Sequence, residues 1–270
     1  MRKRHVSKRK LSRRDFVKAA AGGAVGATSL GAIGASEARA AQTSAQWTHA
    51  ADVVVVGAGA TGLAAAVEAA QHGGSVVVIE QNDDVGGHAI QSGANIALGG
   101  GTSLQTKYGV VDLPDRMFAD LVADLDYRYN DRDLVRAFAD WSVSTFDWLA
   151  ANGVVFPDEP PIGGRSQGVR RTHVPVWTGG VNTVSPTGAN GAALVRPLEA
   201  AARKLGVQFL LQHSLTGVIR ERVTSGRVVG ITATHDGKPL SIEARKGVIQ
   251  SSVRAAIRAT CRSGGSSIRD

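Results

Sequence analysis

The residues whose types and spacing best suit chemistry are the glycines of Gly57-Ala58-Gly59-Ala60-Thr61-Gly62, a G-x-G-x-x-G run. Glycine at the first position permits a tight turn, at the second lets backbone approach a ligand, and at the third lets a helix pack closely on a strand. A helix starting there offers free N–H groups and a partial positive charge, so Gly57, Ala58, Gly59, Thr61 and Gly62 suit a pyrophosphate. Glu80 follows at a distance where a carboxylate can accept hydrogen bonds from ribose hydroxyls. Such a set describes a dinucleotide site. A second set, Arg170-Arg171-Thr172-His173, offers a general acid or a carboxylate binder, but reads more simply as a partly buried structural cluster. Asp120, Asp124, Asp126, Trp141 and Trp148 suggest a metal or sugar site, and their helical spacing reads more simply as the faces of two helices.

Elements able to position the first set surround it in order. Asp52-Val-Val-Val-Val56 is a β-branched run of the kind found in buried parallel strands. Leu63 to His72 carries helix-forming Ala and Glu and stops at Gly73-Gly74. Ser75-Val-Val-Val-Ile79 is a second buried strand, with Glu80 at its carboxyl end. Strand, glycine turn, helix, strand and acid form a βαβ unit, a far more specific signal than the glycines alone. Further on, 207–249 reads as β-hairpins with Gly226-Arg-Val-Val-Gly230 as a turn and strand. Pro157 to Gly168 and Ser185 to Gly191 read as loops.

The stretch Glu80-Gln81-Asn-Asp-Asp-Val85-Gly86-Gly87 resembles the E-x5-G-G extension of FAD-binding flavoproteins. From there the chain resembles the flavoproteins of fumarate reductases, succinate dehydrogenases and 3-ketosteroid dehydrogenases. The likeness is carried by Ser92-Gly93-Ala94-Asn95, Gly99-Gly100-Gly101, Trp148-Leu-Ala-Ala-Asn-Gly153 and Arg196-Pro197-Leu198, and covers 52 to about 249. It implies FAD as cofactor and a Rossmann-like α/β domain, a parallel sheet with helices, among them Arg132 to Asn152 and Gly191 to Gly206, plus a layer of β-hairpins. Gln81, Gly86, Gly87, His88 and Gly93 would then line the cofactor, and Leu215-Thr216 would lie near its adenine end. In succinate dehydrogenases a histidine at about the place of His88 is bonded covalently to the flavin; elsewhere in the family FAD is held without a bond. His88 is therefore either an attachment point or a polar neighbour of the flavin ring. The resemblance also implies hydride transfer between flavin and an activated carbon–carbon bond of a small unsaturated acid or ketosteroid-like substrate, not a nicotinamide enzyme.

Residues 1–40 hold ten of the 31 Lys/Arg and two of the 23 Asp/Glu, which accounts for the whole net charge of +8. The remaining 21 of each sign cancel, which speaks against a nucleic-acid partner. This segment has a basic stretch, an apolar stretch rich in Gly and Ala, and Ala38-Arg39-Ala40, an Ala-x-Ala cleavage pattern. Its small residues make it a poor membrane-spanning helix. Ser12-Arg13-Arg14-Asp15-Phe16-Val17-Lys18 resembles the twin-arginine signal, which implies passage of a folded, cofactor-loaded protein through that translocase to a periplasmic or extracellular location. The single cysteine, Cys261, excludes an intrachain disulfide and a cysteine-based metal site, and we expect no metal. No Cys-x-x-Cys-His haem motif is present, so electrons would come from a separate protein.

The expected organisation is a signal at 1–40, the front of an FAD-binding domain at 41–249, and an aberrant tail at 250–270. Beyond Ile249 the family completes a strand and turn resembling I-L-A-T-G-G, whereas this chain reads Gln250-Ser-Ser-Val-Arg-Ala-Ala-Ile-Arg-Ala. Back-translation with two bases dropped permits Ile-Leu-Gly-Thr-Gly-Gly, so a shifted or truncated frame is expected. The domain would then be incomplete at its C-terminus, lacking the substrate cap and the catalytic residues, which leaves those residues unknown. The rival expectation is a non-catalytic fragment with weak or no FAD binding.

Overall fold

The computed structural model describes residues 46–124, 131–163, 168–177, 191–222 and 225–252. The leader, Asp126, the loop 185–190 and Cys261 lie outside the described residues.

A six-stranded sheet organises the chain. Its strands are β1 (His49–Val56), β2 (Val76–Ile79), β6 (Gln208–Leu210), β7 (Ser214–Arg220), β8 (Val228–His235) and β9 (Lys238–Gln250), in the order β6-β2-β1-β9-β8-β7. The pairs β1–β2, β2–β6 and β1–β9 are parallel, and β7–β8 and β8–β9 are antiparallel. Alternate residues of a strand face opposite sides, so a strand covered on both sides reads as an unbroken apolar run. Val55 and Val78 accordingly enter one cluster with Leu63, Val67, Phe146, Val195 and Leu198. Val54, Val56, Val77 and Ile79 enter the other with Ile231, Ala233 and Ile242. Each fully buried side chain of this size contributes about 1.5–3 kcal/mol.

The first cluster is roofed by helices α1 (Ala60–Gln71), α4 (Arg132–Ala151) and α5 (Ala192–Lys204). Trp148 Nε1 of α4 donates to Glu68 of α1 at 2.9 Å, and Gln71 donates to Asn152 at 2.9 Å, fixing α4 across α1. Of the segment 207–249 read as hairpins, β7, β8 and β9 form them, whereas β6 pairs parallel with β2 at the sheet edge. Asp236-Gly237 forms the two-residue turn between β8 and β9 with φ of 50° and 74°, the positive pair that such a tight turn requires. A second departure lies at the end of β9. The strand pattern was expected to end at Ile249, yet β9 runs to Gln250, and Ser251 still donates from its backbone to Val56 O at 3.0 Å.

A smaller antiparallel sheet, β3 (Ile96–Ala97), β5 (Arg170–His173) and β4 (Ile162–Gly163), lies beside α2 (Ser103–Lys107) and α3 (Pro114–Asp124). Its alternation buries Arg171 and His173, at 3% and 2% exposure. Arg171 forks onto buried Asp112 at 2.6 and 2.7 Å and reaches Asp120 at 2.8 Å. Asp112 also accepts from Gly100 N–H at 2.8 Å and Gln105 at 3.1 Å. Burial alone would raise the Asp112 carboxyl, but Arg171 and these donors hold it below its ordinary value. His173 places Nε2 3.1 Å from Leu98 O and packs against Phe146 and Phe156, and its burial lowers its basicity. The Arg170–His173 cluster is thus structural, and it fixes the glycine run Gly99–Gly101.

Candidate functional site

The phosphate-binding candidate is the turn from β1 into α1. Gly59 caps the helix, and Leu63 N–H is the first to bond back to it, at 2.9 Å. The N–H groups of Ala60, Thr61 and Gly62 precede that bond and so have no acceptor within the helix. The glycines divide their work as the spacing suggests. Gly57 has φ of +97°. A Cβ on Gly62 would lie 1.9 Å from Gly57 O, which no side chain could occupy. At Gly59 the nearest atom to such a Cβ is Gly86 O at 3.9 Å, leaving that face open for an anion to approach backbone. Thr61 is exposed beside it.

The glycine pair is fastened directly to this turn. Gly86 N–H donates to Ala58 O at 2.8 Å, and Gly59 and Gly86 form a parallel β-bridge. Gly87 lies against Gly59, with 3.5 Å from its built Cβ to Gly59 Cα. His88 follows, exposed, at the start of a short 3-10 turn (Ala89–Gln91). Loop 81–86 is anchored from outside by Arg196 of α5, which forks onto Asp84 at 2.5 and 2.9 Å. That contact raises the Arg196 guanidinium and lowers the Asp84 carboxyl.

Glu80 is 6% exposed at the end of β2. Its Oε2 accepts from Ala58 N–H at 2.8 Å and its Oε1 from Asn82 N–H at 3.0 Å. Each carboxylate oxygen keeps a lone pair for another donor. The backbone of Glu80 bonds to Leu210 O at 3.0 Å and accepts from His213 N–H at 2.8 Å, and His213 stacks on His235 with ring centroids 4.3 Å apart.

The structure therefore brings together Gly57, Ala58, Gly59, Thr61, Gly62, Glu80, Gly86, Gly87 and His88, with exposed Gln81 on the connecting loop. The two remaining sequence candidates lie on flanking segments, Gly93 just past the 3-10 turn and Leu215 two residues beyond His213. Gly93 is exposed, and nothing nearer than Asn95 at 3.8 Å meets its built Cβ. Leu215 lies half-buried on edge strand β7, packed on the Val54–Ile231 cluster. Asp84 with Arg196, and Ser251, were missed because each acts through a partner distant in sequence, and Asn82 because it acts through its backbone N–H rather than its side chain. An open glycine face, helix N–H groups without internal partners and a held carboxylate fit the pyrophosphate and ribose of a dinucleotide.

Comparison with known proteins agrees with this geometry. The profile of a family described as FAD binding domain matches residues 52–262. The acrylate reductase flavoprotein subunit of Shewanella woodyi is 30% identical over 249 residues, covering 88% of this chain and 45% of that protein. The fumarate reductase (cytochrome) of Shewanella frigidimarina is 32% identical over 182 residues, covering 67% and 29%. The crystal structure of 3-ketosteroid-delta4-(5alpha)-dehydrogenase from Rhodococcus jostii, in complex with 4-androstene-3,17-dione, superposes with a TM-score of 0.68 at 33% identity, covering 78% of this chain and 47% of that one. The chain thus spans less than half the length of each of these proteins. It belongs to the FAD binding domain family of flavin-dependent oxidoreductases, and its cofactor is FAD.

Proposed function

We propose that this chain holds FAD with its pyrophosphate on the Gly57–Gly62 turn and its ribose at Glu80, as part of a reductase acting on an activated carbon–carbon bond. The observation that carries this reading is the fastening of Gly86 to Ala58, which adds a second glycine backbone to the open face of the first. Bound FAD would supply hydride transfer between its flavin ring and such a bond. The chain's own part is to bind and orient. Helix N–H groups take the phosphate charge, Glu80 the ribose, and His88 follows the glycine pair toward the flavin.

Relatives named for fumarate, acrylate and urocanate share one chemistry, a C=C bond conjugated to a carboxylate, and another is named for a 3-oxo steroid, which supports an unsaturated acid or ketosteroid-like substrate. Electrons would come from a separate protein, and the leader would take the folded protein through the twin-arginine translocase to a periplasmic or extracellular location. Among the described residues no helix is long and apolar enough to cross a membrane.

The alternative reading is a non-catalytic chain binding FAD weakly or not at all. Reconstituting the full chain with FAD and offering fumarate, acrylate, urocanate or a ketosteroid with a reduced artificial carrier separates the two. Turnover of any of them supports the reductase, and reconstituted protein that lacks yellow colour and a flavin absorbance band supports the second reading.

A further inference from the structure

The Gly57–Ala58 peptide is gripped from both sides. Its N–H donates to Glu80 Oε2 at 2.8 Å. Its oxygen, Gly57 O, lies 2.9 Å from the hydroxyl of Ser251, which stands equally 2.9 Å from Val56 O. Ser251 reaches this place because β9 runs parallel to β1 with Val56 opposite Gln250, and its own N–H donates to Val56 O at 3.0 Å. The hydroxyl is wedged under the first turn of α1, where a Cβ on Gly62 would meet Gly57 O at 1.9 Å and Ser251 Oγ at 2.6 Å. Ser252 closes the other side, its Cβ 3.2 Å from a Cβ built on Gly57.

The orientation of this peptide matters to an anion. Gly57 has no side chain and sits at φ of +97°, so steric barriers to rotating the Gly57–Ala58 plane are low. A rotated plane would free the Gly57 carbonyl from beneath the helix and release Ala58 N–H from Glu80. A carbonyl lone pair at the mouth of the turn would repel phosphate oxygens.

We propose that Ser251 is a positioning residue for the cofactor: with Glu80 it locks the Gly57–Ala58 peptide so that only N–H groups face the pyrophosphate. The proposal rests on the FAD reading above. A residue beyond the expected end of the domain would thus complete the phosphate turn.

The test compares the full chain with Ser251→Ala and Ser251→Thr, reading FAD affinity by flavin fluorescence and amide exchange of the Ala58 N–H in the FAD-free protein. The alanine variant should weaken FAD binding about tenfold, the order expected for one lost hydrogen bond. It should also speed exchange at Ala58, and threonine, which keeps the hydroxyl, should restore both. Affinity unchanged in the alanine variant, or a threonine variant as weak as alanine, overturns the proposal. If the unaltered chain takes up no FAD, the FAD reading fails and the exchange measurement alone decides: faster exchange at Ala58 sustains the lock, and unchanged exchange removes it.

Discussion

Replacing Glu80 by glutamine probes the joint between the phosphate turn and the adenosine side of the site. The carboxylate is 6% exposed and accepts one backbone N–H on each oxygen, from Ala58 at 2.8 Å and Asn82 at 3.0 Å. Glutamine keeps one acceptor oxygen and turns an NH2 group toward the other N–H. One charge-assisted hydrogen bond is lost and one buried donor faces another, for a cost of about 2–3 kcal/mol. At roughly 2–4 °C per kcal/mol for a domain of this size, the FAD-free melting temperature should fall by about 4–12 °C. The substitution also removes the charged acceptor offered to the ribose. With FAD at about a hundred times its Kd, binding adds about 2.7 kcal/mol to stability, and a tenfold weaker Kd cuts that to about 1.4 kcal/mol. Thermal scans of both proteins with and without FAD read the two effects separately. A variant that melts with the unaltered protein and gains as much from FAD would refute the role given to Glu80.

The second and third glycines of the turn should behave differently. Gly62→Ala puts a Cβ 1.9 Å from Gly57 O and should destabilise the FAD-free chain by about 1–3 kcal/mol in urea titration. Gly59→Ala meets nothing closer than 3.9 Å, so it should melt normally while losing FAD affinity in a fluorescence titration. Arg171→Met leaves Asp112 buried without its cation and should cost about 3–5 kcal/mol by denaturant titration, whereas Arg196→Met, on a more exposed pair, should cost under about 1 kcal/mol. His173 is held neutral by burial, against the backbone bond to Leu98, so its folded pKa lies below its ordinary 6.5. Its contribution is complete above about pH 6.5 and is lost as pH falls from there toward the folded pKa, with a slope of at most about 1.4 kcal/mol per pH unit. Stability measured from pH 7.5 to 5 should show that slope, and His173→Gln should flatten it.

The βαβ unit was legible in the sequence because its signals are local: valine runs, glycines at fixed offsets, and an acid at the end of the second strand. The β7–β8 hairpin was legible for the same reason, through the Gly226 turn, whereas the Asp236-Gly237 turn was not singled out. The position of β9 was not legible. Its run Ile242-Glu-Ala-Arg-Lys246 reads as a polar hairpin strand, yet it is inserted between β8 and β1 and pairs with both. The placement depends on register against Val53–Val56, which no local pattern encodes, and the role given to Ser251 follows from it. Arg171 and His173 were read as part of a partly buried cluster, and both are buried, but their partners could not be named. Asp112 and Asp120 reach Arg171 across more than fifty residues of chain.

The central claim is that the Gly57–Gly62 turn, with Gly86 fastened to Ala58, is an FAD site. Its most direct test is equilibrium titration of the full-length chain with FAD, alongside Gly59→Ala, followed by flavin absorbance and fluorescence. Saturable uptake of about one FAD per chain, lost in the variant while its melting temperature is kept, is the result expected. Failure of the unaltered, folded chain to take up FAD, or equal uptake by the variant, would contradict it.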